Sequence, residues 1–151
     1  MTQPAAAAPG PGSTPAKHPL AFEEIAARIA RLPLPAVDLV VGVATGGTVP
    51  AALAALRLGV PLATIVLNYR DADNRPQRAR PEAIVPPALP PGRRVLLVDD
   101  VSVSGATLAA ARGLLGDREV TTLVMKGKGD LVAFPEVATC VAWPWAPLAA
   151  R

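Results

Sequence analysis

The sequence predicts an α/β fold with a Rossmann-like central parallel sheet that is flanked by helices. The first observation is the alternation of short, near-continuous apolar runs with helical segments, which is typical of strands covered on both faces. The second is the composition, because 51% of the 151 residues are hydrophobic but 3% are aromatic. The apolar residues are therefore mainly Ala, Val and Leu, which suit short buried strands, and the length favours one domain.

The predicted elements are placed in chain order by the spacing of apolar residues. Phe22, Ile25 and Ile29 recur at three- and four-residue intervals, which predicts an amphipathic helix that Pro33 ends. Further helices are expected to open at Pro50 and to span 106–115. Strands are predicted from five apolar runs, at 37–43, 62–67, 95–98, 120–125 and 137–141.

Two segments lack this alternation. Residues 1–19 contain five prolines among Ala, Gly, Ser and Thr, so we expect a disordered leader followed by a domain over 20–151. Residues 68–94 hold arginines and prolines without a periodic pattern, which is unusual for a loop in a compact domain. Two interpretations stay open for this loop: a solvated Pro-rich linker, or a mobile basic lid over an anionic substrate.

Charge and two solitary residues exclude several classes of function. The 15 basic and 12 acidic residues give a net charge of +3 without basic runs, so we expect no nucleic-acid partner. The lone His18 cannot build a histidine metal cluster or a Ser-His triad. Cys140 is also alone, which excludes a disulfide framework, and its apolar neighbours predict a buried packing role.

Membrane insertion and secretion are not expected either. The uncharged stretch 39–56 reaches the lower length limit of a membrane span, but Gly46, Gly47 and Pro50 interrupt it. A strand, a turn and a helix start explain this stretch better. Because the chain does not open with a basic region and an apolar block, no signal peptide is evident, and we expect a cytoplasmic protein without a membrane partner.

The most informative segment is VLLVDDVSVSGATL, residues 95–108. Its apolar strand delivers Asp99 and Asp100 to the carboxyl edge of the sheet, where open α/β sheets bind ligands. Ser104, Gly105 and Thr107 then open a helix, so backbone N–H groups, hydroxyls and the helix dipole predict a phosphate site. An anion cradle beside two acids that accept hydrogen bonds from vicinal hydroxyls fits a phosphorylated sugar.

This segment resembles the signature with which type I phosphoribosyltransferases bind 5-phosphoribosyl 1-pyrophosphate (PRPP). In that family an apolar strand precedes two acids, three variable residues, Thr or Ser, Gly, a variable residue and Thr. The Trp-Pro-Trp sequence at 143–145 resembles the ending of short bacterial and archaeal purine enzymes of the family. The resemblance covers about residues 20–147 and implies the family's long flexible loop and small C-terminal hood.

The resemblance implies transfer of ribose 5-phosphate from PRPP to a nitrogenous base, with a purine as the expected acceptor and pyrophosphate as the second product. Asp99 and Asp100 would be catalytic and would hold the ribose hydroxyls. The groups of PRPP and the base would be bound, in turn, by three sets: Ser102, Val103, Ser104, Gly105, Ala106 and Thr107 for the 5′-phosphate; Thr45, Gly46 and Gly47 for the pyrophosphate; and Lys126, Trp143 and Trp145 for the base.

The same resemblance implies further parts of the machinery. Tyr69 and Arg70 would belong to the flexible loop that closes over PRPP. The cofactor would be Mg²⁺, held mainly by PRPP oxygens and water, with Asp100 as the candidate protein ligand. The expected assembly is a homodimer.

Two positions depart from the family pattern. Thr45 stands where members usually carry Arg or Lys, and Val103 stands where hypoxanthine and guanine enzymes place an Asp that acts on the purine N7 proton. Both departures favour an alternative hypothesis, a non-catalytic protein that binds PRPP or a nucleotide as a regulatory signal. A purely structural interaction module would leave the anion cradle unexplained. A phospho-acceptor receiver domain is excluded, because the 51 residues after Asp100 are too few for its remaining units.

Simpler interpretations of the supporting motifs stay open. Gly46 and Gly47 could form an ordinary turn, and Lys126 could be a solvated loop lysine. The side chains of Trp143 and Trp145 would share one face of a strand, where they could fill the core or contact a second subunit.

Overall fold

The computed structural model describes residues 15–68, 79, 82–83 and 88–146. Their helices and strands follow in the order β1 (His18–Pro19), α1 (Phe22–Arg31), β2 (Leu39–Ala44), α2 (Thr48–Leu58), β3 (Leu62–Asn68), β4 (Glu82–Ala83), β5 (Arg94–Ser102), α3 (Ala106–Gly113), β6 (Glu119–Gly127), β7 (Leu131–Val132) and β8 (Val141–Ala142).

Six of the strands form the central sheet, in the order β4-β3-β2-β5-β6-β7. Every neighbouring pair is parallel except β3 and β4, which run antiparallel at the edge. In the sheet, β3 lies on one side of β2, which precedes it in the chain. β6 lies on the opposite side of β5, which precedes it in the chain. The strand order therefore reverses between β2 and β5, and this switch point is where open α/β sheets bind ligands. The predicted fold class is confirmed.

Helices cover both faces of the sheet. The strand residues alternate between two buried clusters: Val40 and Leu96 pack on the side of α1 and α2, while Val41 and Leu97 pack on the side of α3. Gly42 lets α2 approach β2 closely, because a β-carbon there would lie 2.8 Å from that of Ala51. None of the helices in the described ranges has the length and apolarity that a bilayer crossing needs.

The strand predicted over 137–141 is wrong. The sheet instead ends in β7, which follows a contact between Asp130 and β6. The Asp130 carboxylate accepts hydrogen bonds from the N–H and the hydroxyl of Thr122 at 2.8 and 2.9 Å. The Asp130 N–H donates to the same hydroxyl. The carbonyls of Ala138 and Thr139 accept hydrogen bonds from the Lys126 ammonium rather than from a strand. Cys140, expected to be buried, is exposed.

The segment before α1 also differs from the sequence prediction. His18 and Pro19, assigned to a disordered leader, form β1 and pair in parallel with Val141 and Ala142 of β8. The His18 N–H donates to the Cys140 carbonyl at 2.7 Å. This pairing joins positions more than 120 residues apart, so the local proline content gave no sign of it. Residues 1–14 lie outside the described residues.

Candidate functional site

Strand β5 carries two adjacent carboxylates to the switch point of the sheet. Asp99 is buried with 6% of its surface exposed, and one of its oxygens accepts a hydrogen bond from the Asp100 N–H at 2.8 Å. Asp100 in turn accepts from the Val101 N–H at 2.7 Å. Within the described part of the chain neither carboxylate forms an ion pair. The strand therefore presents two adjacent carboxyl groups that no cation of the described residues pairs with.

This arrangement alters the titration of both acids. Burial, together with the neighbouring Asp100 carboxylate, raises the pKa of Asp99 to about 8. Burial also raises the pKa of Asp100. Two buried carboxylates with raised pKa values gain stability when a ligand brings positive charge or hydroxyl donors to them. The pair is thus suited to a cation, to vicinal hydroxyls, or to both.

The loop after β5 has the features of an anion cradle. Gly105 adopts a left-handed conformation with φ of 83° and immediately precedes α3. The Ser104 hydroxyl accepts a hydrogen bond from the Ala106 N–H at 3.3 Å. The hydroxyl of Ser102, a residue with 5% exposure, has no hydrogen-bond partner in the described structure. A buried hydroxyl without a partner is costly, so a ligand that hydrogen-bonds to it would remove that cost.

The loop after β2 lies directly against the carboxylate pair. A β-carbon on Gly46 would overlap the Asp100 carboxylate, and one on Gly47 would overlap the Val98 carbonyl. The peptide bond between Ala44 and Thr45 is cis. Glycine is thus required at both positions for this turn to pack against β5.

A hood formed by residues 138–146 and β1 lies beside the end of β6. Lys126 holds it through the two carbonyl contacts described above, at 3.1 and 2.5 Å. The rings of Trp143 and Trp145 stack with centroids 5.2 Å apart and planes 8° from parallel. They lie after β8 in a turn rather than on a strand, and both pack against the core. The interpretation of Lys126 as a freely solvated lysine is therefore wrong.

One cleft of about 940 Å³ brings most of the predicted residues together. It is lined by the two predicted catalytic acids and by members of all three predicted binding sets: Asp99 and Asp100, then Thr45, Gly46, Ser102, Val103, Ser104, Gly105, Ala106, Thr107, Lys126 and Trp143. Gly47 and Trp145 do not line it; Gly47 packs under the loop, and Trp145 packs behind Trp143. Tyr69 and Arg70 lie outside the described residues.

Sequence reasoning missed part of the cleft wall. Lys17, Cys140 and Val141 also line it, together with residues such as Leu67 that end neighbouring strands. Lys17 could not be found from sequence because it was assigned to the leader, and its position depends on the pairing of β1 with β8. The apolar run 62–67 was the one signal that a strand end lay at Leu67.

The donor set fits a magnesium ion held largely by a substrate. No group of three or more metal-ligating acids, histidines or cysteines occurs among the described residues. Mg²⁺ nevertheless binds commonly through one or two carboxylates, with substrate phosphates and water completing the octahedron. The carboxylate pair next to the anion cradle meets that requirement, with Asp100 as the candidate ligand.

Comparisons with known proteins agree with this geometry. A family model described as phosphoribosyl transferase domain matches residues 17–143. The purine phosphoribosyltransferase of Pyrococcus horikoshii is 25% identical, with a TM-score of 0.66 over 89% of this chain and 97% of that one. The xanthine-guanine-hypoxanthine phosphoribosyltransferase of Helicobacter pylori is 17% identical, with a TM-score of 0.66 over 86% and 94%.

A third similar structure is a hypothetical protein from Neisseria gonorrhoeae with bound ppGpp. It is 22% identical, with a TM-score of 0.60 over 89% of this chain and 92% of that one. At this identity the similarity establishes a shared fold. The match over most of the chain, together with the cleft at the switch point, shows that this chain belongs to the phosphoribosyl transferase family and is a pentosyltransferase.

Proposed function

We propose that this chain transfers ribose 5-phosphate from PRPP to a nitrogenous base, a purine, and releases pyrophosphate. The observation that carries the proposal is the contact between the two βα loops at the switch point, where Gly46 packs on Asp100. One cleft then offers, in order, the loop of Thr45 and Gly46, the carboxylate pair and the loop 102–107. PRPP carries an anionic group at each end of a sugar, so its shape and charge match that order.

Each part of the cleft would bind one part of the substrate. The loop 102–107 would hold the 5′-phosphate through backbone N–H groups and hydroxyls, and the loop 45–47 would hold the pyrophosphate. Asp99 and Asp100 would accept hydrogen bonds from the ribose hydroxyls. Lys126 and Trp143 would orient and stack the base, with Trp145 supporting Trp143 from behind.

The reaction would be driven mainly by positioning and charge stabilisation. As the bond from C1′ to pyrophosphate breaks, positive charge develops on the ribose ring, and the two carboxylates would stabilise it. Bound Mg²⁺ would neutralise charge on the leaving pyrophosphate. Tyr69 and Arg70 would belong to a loop that excludes water from the cleft, and a loop arginine would replace the cation missing at Thr45.

The proposal also covers the metabolic role, the cellular location and the assembly of the enzyme. It would act in purine salvage in the cytoplasm and would form a homodimer. What supports a purine as the acceptor is the similarity to the Pyrococcus enzyme, a purine phosphoribosyltransferase that is 25% identical to this chain.

A second candidate function is a regulatory protein that binds PRPP or a nucleotide without turnover. The specific observation that favours it is Val103, which is 73% exposed at the cleft and offers no group for proton transfer. The bound ppGpp in the Neisseria structure shows a nucleotide ligand on the same fold.

The experiment that separates the two is pyrophosphate release from PRPP and Mg²⁺, measured with guanine, xanthine, hypoxanthine, adenine, uracil and orotate. The variant Asp99→Asn/Asp100→Asn should lose release by at least a hundredfold. The matched control is Glu23→Gln/Glu24→Gln, which removes two exposed carboxylates on α1 and should retain activity. Thermal stabilisation by PRPP without release for any base would favour the regulatory function instead.

A further inference from the structure

Three consecutive carbonyls at the start of the hood accept hydrogen bonds from donors that lie elsewhere in the chain. The Lys126 ammonium donates to the carbonyls of Ala138 and Thr139 at 3.1 and 2.5 Å. The N–H of His18 in β1 donates to the carbonyl of Cys140 at 2.7 Å. The three acceptor residues are exposed and belong to no helix or strand. These contacts, rather than a regular element, therefore fix the path of the segment.

The segment that these contacts hold leads directly into the wall of the cleft. Cys140, Val141 and Trp143 follow one another along the chain and line the cleft. Val141 also begins β8, whose pairing with β1 continues the contact of His18 with Cys140. A displacement of the segment would therefore shift Trp143, the side chain that the proposed function assigns to stacking the base.

The backbone of Lys126 is fixed on the other side, at the strand end that carries the phosphate loop. Lys126 of β6 pairs with Val101 of β5, and Gly127 pairs with Ser102. A β-carbon on Gly127 would overlap the Ser102 carbonyl, and the same carbonyl accepts a hydrogen bond from the Lys128 N–H at 2.8 Å. The backbone of Lys126 thus belongs to the PRPP side of the cleft, whereas its ammonium holds the hood.

We propose that Lys126 is a positioning residue, which sets the place of the base-binding wall relative to the loop 102–107 through the carbonyls of Ala138 and Thr139. The inference rests on the proposed function and deepens it, because the wall fixes the base relative to C1′ of PRPP. Transfer depends on the geometry in which the base nitrogen meets C1′, and a small displacement of either reactant slows it strongly.

This role differs in its consequences from a direct contact between Lys126 and the base. An ammonium donates hydrogen bonds and accepts none, so a direct contact would favour a carbonyl over an amino group at C6 of the purine. Loss of a direct contact would therefore penalise the 6-carbonyl base alone. Loss of a positioning contact would displace the wall and penalise both kinds of base equally.

The first test compares inosine and adenosine 5′-monophosphates, which carry a carbonyl and an amino group at C6. Their binding would be followed by the fluorescence of the stacked Trp143 and Trp145. Lys126→Met should weaken both nucleotides about tenfold, keep the ratio of their Kd values within twofold, and leave the KM for PRPP within twofold. Lys126→Arg, which retains a cation with several donors, should restore most of the affinity. The matched control is Lys128→Met, an exposed lysine that does not line the cleft.

A second variant acts on the same wall without changing Lys126. His18→Pro removes the N–H that donates to the Cys140 carbonyl, whereas His18→Ala keeps it. His18 is not among the residues that line the cleft, so neither substitution removes a side chain that contacts the base. His18→Pro should weaken both nucleotides equally, and His18→Ala should weaken neither. Unchanged affinities in His18→Pro would overturn the inference, including the case in which Lys126→Met does not fold.

The remaining outcomes separate failure of this inference from failure of the proposed function. A larger loss for the inosine than for the adenosine nucleotide in Lys126→Met overturns the inference and leaves the transferase intact, as do unchanged affinities for both. Hydrogen exchange of the amides at 140–143 in the unliganded protein is a readout that needs no turnover. Faster exchange in Lys126→Met than in Lys128→Met supports the inference even if no base is turned over, and equal exchange overturns it.

Discussion

Gly46 lies so close to the Asp100 carboxylate that a β-carbon at position 46 would overlap both of its oxygens. This contact joins the loop after β2 to the strand end of β5. The loop after β2 and the loop after β5 therefore line one cleft. The interlocking of Gly46 with Asp100 is the structural basis of the proposed PRPP site.

Gly46→Ala should consequently impair PRPP binding more than folding. The added methyl would push the loop or the carboxylate out of place, and we expect the kcat/KM for PRPP to fall at least tenfold. The matched control is Gly113→Ala, because a β-carbon at the end of α3 would meet nothing within 4 Å. Equal kinetics for the two variants would contradict the assignment of this contact to the binding site.

The raised pKa of Asp99 predicts how stability depends on pH in the unliganded protein. The folded state holds the Asp99 proton up to about pH 8, whereas the unfolded chain releases it near 3.8. The unfolded state therefore binds fewer protons across this window, so stability should fall as pH rises through it. Hydrogen bonds from Arg94 lower the pKa of Asp38 to about 2, so its contribution is constant above pH 6.

Melting temperatures between pH 6 and 8.5 would measure this effect. Wild-type Tm should fall over the interval, and Asp99→Asn should flatten the profile because the amide does not titrate. An Asp99→Asn profile that falls as steeply as the wild-type profile would show that another group is responsible.

Ser102 and Ser104 should respond in opposite directions to loss of the hydroxyl. Ser102→Ala removes a buried group that has no partner in the described structure, so unliganded stability should stay level or rise by up to about 1 kcal/mol. Ser104→Ala removes the acceptor of the Ala106 N–H at the start of α3 and should cost about 0.5–1 kcal/mol.

Urea unfolding gives the two stabilities, and calorimetry gives the affinity for PRPP. Ser102→Ala should weaken PRPP binding severalfold, because the ligand would be the missing partner of this hydroxyl. Unchanged affinity in Ser102→Ala would mean that the hydroxyl does not contact PRPP.

Thr122→Val should destabilise the sheet edge. The Thr122 hydroxyl donates to the Asp130 carboxylate and accepts from the Asp130 N–H, and Thr122 is 6% exposed. Removing the hydroxyl leaves the Asp130 N–H without its acceptor. The expected loss in the free energy of unfolding is about 1–2 kcal/mol. Thr64→Val, on the exposed face of β3, provides the control and should change little. A loss no larger than the control's would contradict the role given to this hydroxyl.

The sequence was sufficient to predict four strands of the sheet (β2, β3, β5 and β6) and the loop after β5. The resemblance implied a C-terminal hood, but the pairing that builds it was not predicted. Residues 95–107 were predictable because each local signal, the apolar run, the acids and the Ser-Gly turn, has a short-range physical cause. The strand at 137–141 was predicted from apolar content. In the structure the carbonyls of Ala138 and Thr139 accept hydrogen bonds from the Lys126 ammonium instead of from a neighbouring strand. Lys17 was missed since a two-residue pairing with a distant strand leaves no periodic pattern.

Chromatographic detection of the nucleotide product tests the central claim most directly. PRPP, Mg²⁺ and each candidate base would be incubated with the protein, and the nucleoside monophosphate would be quantified beside the released pyrophosphate. We expect the two products in a 1:1 ratio with a purine, and neither product from Asp99→Asn/Asp100→Asn. Pyrophosphate without nucleotide, or bound PRPP with no product from any base, would contradict it.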